Sequence, residues 1–206
     1  MQHPDIPLVT GSSSSTGQWF TSRSSRQWWF DSGARALDFA YTGAMGHNPA
    51  WEKLHTPSDL AAWLNGRFEA SDGTVTERDL ADATGLREAI ATIASALSVN
   101  EIPDPQQIDV INLFAATPDV PPRLAGGGMK AGRTTVRTGQ ALSTMAREAI
   151  FLFGAEQHER IRECVAEDCA LVFYDESRSN NRRWCSMQRC GNRAKVRSHR
   201  ARNATR

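Results

Sequence analysis

Acidic residues are absent from the last thirty positions, 177–206, which carry ten Lys or Arg and no Asp or Glu. Cysteine is absent from the first 163 residues, so all four cysteines fall in one stretch near the C-terminus. Long apolar runs are missing as well. IFLF at 150–153 is a short core segment, far below the roughly 18 residues of a membrane helix, which excludes a membrane partner. MQHPDIPLVTGSSSSTG at the start lacks the basic and apolar regions of a secretory signal. The expected setting is therefore cytoplasmic, where thiols stay reduced. Catalytic signatures are also missing: there is no G-x-S-x-G and no H-E-x-x-H. The histidines His3, His47, His55, His158 and His199 are scattered, and no nucleophile–base pair can be assembled. The expectation is a protein that is not an enzyme.

What is present is unevenly charged. The net charge of +1 conceals a balance of −9 over residues 1–176, where fourteen basic residues face all twenty-three acidic ones. A basic block on an acidic chain points to an acidic partner, nucleic acid first, with a solvated tail as the alternative. At 206 residues the chain holds one medium domain and a small appendage.

Cys164, Cys169, Cys185 and Cys190 form two pairs, with four residues inside each pair and fifteen between them. Two short cysteine loops joined by a hairpin-sized spacer can bring four soft thiolates to one tetrahedral ion, and we read them as one structural Zn2+ site. Disulfides and an iron–sulfur cluster are the alternatives. Four protein ligands leave no open position, so such an ion shapes the chain and hydrolyses nothing. CALVFYDESRSNNRRWC alternates apolar residues, turns at SRSNN and returns through Arg183 and Trp184, which predicts a β-hairpin between the pairs. CGNRAKVRSHRAR has no breaker after Gly191 and predicts a basic helix, giving a treble-clef-like order.

That segment supplies the candidate nucleic-acid contacts Arg182, Arg183, Arg189, Arg193, Lys195, Arg197, Arg200 and Arg202. Helical spacing puts Arg189, Arg193, Arg197 and Arg200 on one face. Arg189 and Arg193, beside the ligands, are the ones placed to offset the charge of a zinc–thiolate centre instead. Asn192 is read as a helix cap or a donor to a zinc-bound sulfur. Phe173, Tyr174 and Trp184 are stacking candidates, with packing beneath the metal the stronger reading for Phe173 and Trp184.

Upstream, Ser, Gly, Thr and Gln dominate residues 1–27, which predicts a disordered tail with Trp19 and Phe20 as docking points. Helical spacing follows in WWFDSGARALDFAYTGA through Ala36, Leu37, Ala40 and Tyr41, and in TPSDLAAWLNG through Leu60, Trp63 and Leu64. The longest predicted helix starts at a Thr76–Asp79 capping box and buries Leu80, Ala83, Leu86 or Arg87, Ile90, Ile93 and Leu97. PQQIDVINLFAAT is a further helix, and the last helix of this part runs through Leu142, Met145, Ile150 and Phe153. Pro118–Thr138, with Pro-Pro, three glycines and TTVRT, predicts a β-hairpin or extended loop. Within it GGMKAGRT (127–134) nearly matches a phosphate loop, but no strand precedes it and no helix follows, so it is read as a surface turn.

RRWCSMQRCGNRAK (182–195), with Cys190, Gly191, Asn192 and Arg193 in sequence, resembles the CGNR zinc-finger family, and CVAEDCALVFYDESR resembles its first half-site. LDFAYT, TPSDLAAWL, LREAI and the Pro-Arg-Leu before the predicted hairpin resemble the ABATE domain that usually precedes this finger. Pattern and resemblance together give a mainly α fold: a disordered tail at 1–27, a helical ABATE-like domain with one β-hairpin at 28–158, and a zinc-finger module at 159–206. The resemblance implies a stress-response transcription regulator whose partner is nucleic acid, DNA ahead of RNA. The first domain would sense a small-molecule effector or form a homodimer. Asp38 with Thr42, and Arg87 with Glu88, fall in ABATE-like segments and could line a ligand pocket, though capping or a buried ion pair is the stronger reading. RNA binding, or a metal-stapled protein-interaction module, is the alternative.

Overall fold

Two threonines open two of the helices in the same way. The Thr56 and Thr76 hydroxyls accept from the Asp59 and Asp79 backbone N–H groups at 3.3 and 3.2 Å, and each aspartate accepts from its threonine N–H at 2.8 Å. These reciprocal bonds satisfy donors that a helix N-terminus otherwise leaves unpaired. The computed structural model describes residues 16–21, 27–43, 45, 49–68, 74–122 and 135–204. Its elements are β1 Gln18–Thr21, β2 Gln27–Phe30, α1 Arg35–Ala40, α2 Pro57–Asn65, α3 Glu77–Ser98, α4 Pro105–Ala115, α5 Thr138–Phe153, β3 Ile161–Glu163, β4 Val172–Tyr174 and α6 Asn192–Ala204. β1 pairs antiparallel with β2, and β3 with β4. The protein is mainly α, with two small hairpins.

α3 is the central element and touches α1, α2, α4, α5 and the second hairpin. The middle of its predicted stripe is buried, with Ala83, Leu86, Ile90 and Ile93 0–3% exposed, while Leu80 and Leu97 at its ends are half-buried. Arg87 is buried beside them at 4%, forked onto Glu52 at 2.7 and 2.9 Å and bonded to Glu88 at 2.9 Å. It is a structural ion pair. On α5 the buried stripe includes Leu142, Met145, Ala149 and Leu152, each three or four residues from the last. Ile150 lies five residues past Met145, off that stripe, and is 44% exposed, against the sequence reading.

The polar N-terminal stretch departs from expectation. Residues 18–21, placed by composition within a disordered tail, form β1, with Phe20 2% exposed against Phe30, Tyr41 and Trp51. The anchor is Asp38, fully buried on α1. Its carboxylate accepts from the Gly17 N–H and the Ser32 hydroxyl, both at 2.6 Å, and its backbone carbonyl accepts from the Gln18 amide at 2.8 Å. Composition does not reveal a partner on another element, and this one sits twenty residues downstream. The predicted hairpin at 118–138 and the phosphate-loop look-alike fall largely on 123–134, outside the described residues. The hairpin seen in the N-terminal part is β1–β2.

The hairpin of the cysteine segment also differs from the prediction. β4 pairs with β3 across the first cysteine pair, and the return through Arg183 and Trp184 is not a strand. Side chains hold that return in place of a ladder. Buried Asp175 accepts from the N–H groups of Ser177 and Arg182 at 2.9 and 2.7 Å, while Arg160 donates to the Asp175 and Ser177 carbonyls and Arg162 to that of Asn180.

Both halves of the chain share one core, which runs from Phe20 through Leu86 and Met145 to Phe173 and Cys190. Tyr41, fully buried, crosses the junction: its hydroxyl accepts from the Val172 N–H at 2.7 Å and donates to the Val172 carbonyl at 2.9 Å. Gly33, at φ +83°, sits where the Tyr174 carbonyl approaches too closely for any side chain.

Tyr41→Phe should cost roughly 1–3 kcal/mol, because it leaves the Val172 amide and carbonyl unpaired in the core. Urea unfolding measures this, and a change within about 0.5 kcal/mol, the usual surface value, would mean the junction does not need the bond. Asp38 gives a pH signature. Burial, outweighing its hydrogen bonds and the attraction of Arg67, lifts its carboxyl from 3.8 to about 6. The folded state then holds the proton more tightly than the unfolded chain, so this contribution is complete below pH 3.8 and is lost as pH rises through 6. Asp38→Asn should flatten the fall in stability across that window. An unchanged slope in urea midpoints taken from pH 4 to 7 would assign the fall to another group.

Candidate metal centre

The first cysteine loop leaves β3 at Cys164 and returns to β4. Cys164 N–H donates to Leu171 O and Cys169 N–H to Ala166 O, both at 2.9 Å, which closes the loop into a tight turn. Val165 N–H donates to Arg183 O at 3.1 Å and draws the second cysteine segment alongside. There Met187–Gly191 forms a single π-helical turn, with the N–H groups of Cys190 and Gly191 on Ser186 O at 3.0 and 3.1 Å. A side chain on Gly191 would meet Met187 Sδ at 2.7 Å, so the thioether packs directly over this glycine where α6 begins.

These two turns bring all four Sγ atoms within 4.8 Å of one another. Cys169 and Cys185 are 3.7 Å apart, Cys185 and Cys190 3.5 Å. Sulfurs bonded tetrahedrally to zinc at about 2.3 Å stand about 3.8 Å from each other, so the cage has the size the ion requires. The protonation pattern agrees. Hydrogen bonds from Cys169 and Cys185 hold the Cys164 thiol well below its ordinary range, and bonding to Cys164 pushes the Cys169 thiol up to about 12 and Cys185 higher still. Negative charge on one sulfur disfavours it on the next, a conflict that a dication removes. Backbone N–H groups of Cys185 and Ala166 reach Cys164, that of Leu171 reaches Cys169, and Arg193 Nη2 donates to Cys190 Sγ at 3.1 Å. Such outer donors orient ligands and offset their charge. Cys164, Cys185 and Cys190 are at most 3% exposed, and all four thiols are free of disulfides.

Residues 33–156 match the family model ABATE, "Putative stress-induced transcription regulator", and residues 160–203 match the CGNR zinc finger. The chain belongs to the ABATE family. Its C-terminal module is a CGNR zinc finger that takes one structural Zn2+, with Cys164, Cys169, Cys185 and Cys190 placed to hold it. A search of curated proteins found no match. Both descriptions name regulatory or metal-binding units, not enzymes, and together they mark a zinc-binding regulator.

The basic residues of the finger divide into two groups. Arg182 faces inward: its guanidinium covers the Phe173 ring at 4.2 Å and donates to the carbonyls of Trp184, Asp31 and Cys185 at 3.1, 2.9 and 2.6 Å. Arg189 lies over the Trp28 ring of β2 at 4.2 Å. The π-helical turn puts it out of phase with α6, so it does not share the predicted face with Arg197 and Arg200. Arg193 is tied to Cys190 and to Asp168, the latter at 2.6 Å, as the charge-offset reading anticipated. Arg183, Lys195, Arg197, Arg200 and Arg202 are exposed. Phe173 is fully buried and Trp184 half-buried, while the Tyr174 hydroxyl is bonded to Gln157 at 2.7 Å. Asn192 stands at the start of α6.

Sequence reasoning missed Trp28 and Asp168. Trp28 lies in WWFDSGARALDFAYTGA, a stretch read as helical, but stands on β2. Asp168 carried a usable signal, an acidic pair inside the first cysteine loop opposite a basic helix. Among the described residues no helix is long and apolar enough to cross a membrane.

Zinc should be present at one ion per chain by elemental analysis, and Co2+ should replace it with thiolate charge-transfer bands. Because the finger and the helical domain share a core, chelation or Cys164→Ser should lower the unfolding temperature of the whole chain. An unchanged calorimetric transition in metal-free protein would rule out that architectural role.

Proposed function

We propose that this protein is a DNA-binding transcription regulator in which the zinc cage aims α6 at the phosphate backbone. The observation that carries this is the surface of α6. From Lys195 to Asn203 every residue is exposed, and the helix contains five basic residues and no acidic one. A helix that is polar all round gains little from packing, so its position and its function both lie in what it meets. At 13 residues it would span about 20 Å, enough to enter a major groove about 12 Å wide. Arg183, Lys195, Arg197, Arg200 and Arg202 are the proposed contacts. Arg182 and Arg189 are withdrawn from the set by their internal partners. Burial removes Phe173 from stacking, and this favours a duplex over single-stranded RNA, which needs exposed rings.

The ABATE domain would supply regulation. Between α3, α4 and α5 lies a cavity of about 200 Å³ lined by Ile93, Leu97, Ile108, Ile111, Ile150 and Phe153. It is apolar and separate from Asp38 and Arg87, so it suits an effector or a second copy better than catalysis. Reduced thiols fit the cytoplasm.

Anisotropy of a labelled duplex should show affinity falling with salt at a log–log slope of about −0.9 per phosphate contact. Reversing Arg197, Arg200 and Arg202 to Glu should abolish retention, while Arg78→Glu on α3 should leave it unchanged. Equal loss from both, or retention after the triple reversal, would sink the reading. Preference for hairpin RNA at matched salt would select the RNA alternative.

A further inference from the structure

Between the first cysteine loop and α6 lies a cleft of about 200 Å³ whose lining includes Glu167, Asp168, Trp184, Arg193, Arg197 and Ser198. One oxygen organises it: Asp168 Oδ2 takes Arg193 Nη1 at 2.6 Å and Arg197 Nη2 at 3.5 Å. Two guanidinium groups four residues apart on one helix thus converge on a single anionic oxygen, the arrangement that suits an oxygen of a phosphate. Arg193 is held in place from behind, since its other terminal nitrogen donates to Cys190 Sγ at 3.1 Å. The three side chains are 38–56% exposed, so water screens the pair and another anion can exchange with the carboxylate.

We propose that this cleft is a phosphate-binding site, occupied at rest by the Asp168 carboxylate and taken over by a phosphodiester when a nucleic acid docks. The inference rests on the nucleic-acid reading of α6 and adds to it a specific site and a built-in competitor. Glu167 at the rim and the thiolate centre behind Arg193 both disfavour a free anion in the cleft. A polyanion already held by Lys195, Arg200 and Arg202 brings its next phosphate at high local concentration and overcomes that bias. Asp168 therefore raises the threshold for stray anions and weak sites, while Arg193 and Arg197 stay paired and oriented until the correct partner arrives.

The test compares the wild type, Asp168→Asn, Arg197→Gln and the double variant. Each is checked for one zinc per chain, and a labelled duplex is titrated over a salt series. Asp168→Asn keeps the shape and removes the charge. It should bind up to about tenfold tighter at low salt and steepen the log–log slope by roughly one to two, for one or two released arginines at about 0.9 each. On the Arg197→Gln background the gain should shrink by half or more. Binding by the variant alone would show the competitor at full strength. If the wild type binds and Asp168→Asn matches its affinity and slope, the carboxylate is not the occupant. If Asp168→Asn binds more weakly, Asp168 positions the arginines instead, and the proposal is overturned. If no form binds, the nucleic-acid reading itself has failed, a result distinct from either of those.

Discussion

Four sulfurs within 4.8 Å of one another cannot all be thiolates unless a cation lies among them. That electrostatic conflict is the constraint on which the rest of the C-terminal structure depends. The loops that create it are short and fully specified by local bonds: Leu171 and Ala166 close the first, and Ser186 closes the second. Neither loop has an apolar interior of its own. β3 and β4 are three residues each, too little ladder to persist in water without support. Zinc supplies one part of that support, and the helical domain supplies the other.

The second support explains why finger and helical domain act as one body here. Tyr41 bonds both backbone groups of Val172, the Ser32 carbonyl takes the Tyr174 N–H at 2.8 Å, and Arg182 reaches Asp31 across the same seam. Arg189 lies on Trp28 of the first hairpin, and that hairpin is pinned to α1 through buried Asp38. A continuous set of contacts thus runs from the N-terminal strand to the turn that launches α6. β1, α1 and the turn that launches α6 are therefore parts of one packed body.

The chain displays its local rules openly and its long-range ones poorly. Capping at Thr56 and Thr76, the buried stripe of α3 and the four cysteines are visible because each depends on residues a few positions apart. β1 was hidden because its justification is Asp38, whose carboxylate is useful only once α1 has folded beside it. The hairpin of the finger was displaced by one strand for a similar reason. Alternation in ALVFY identifies a strand, but its partner is chosen by Asp175, Arg160 and Arg162, which secure the return segment by side-chain bonds. The four-arginine face fails because Arg189 sits inside the π-helical turn Met187–Gly191, which breaks the phase that spacing assumes.

Charge in the last thirty residues has two uses that composition cannot separate. Arg182, Arg189 and Arg193 lie against carbonyls, an indole ring and a ligand sulfur, where their planar groups bond several acceptors or stack. Replacing them would disturb where α6 points. Lys195, Arg200 and Arg202 project outward on a helix of 13 residues, a length at which an isolated helix is marginal in water. Its start is therefore decisive: Gly191 seated against Met187, Cys190 in the cage, Arg193 bridging sulfur and Asp168. The inward arginines fix the direction of the helix and the outward ones determine what it can hold, while Arg197, shared with Asp168, belongs to both sets. A finger with the same net charge but without that division would be a sticky tail. With it, the outward cations of α6 become an oriented surface.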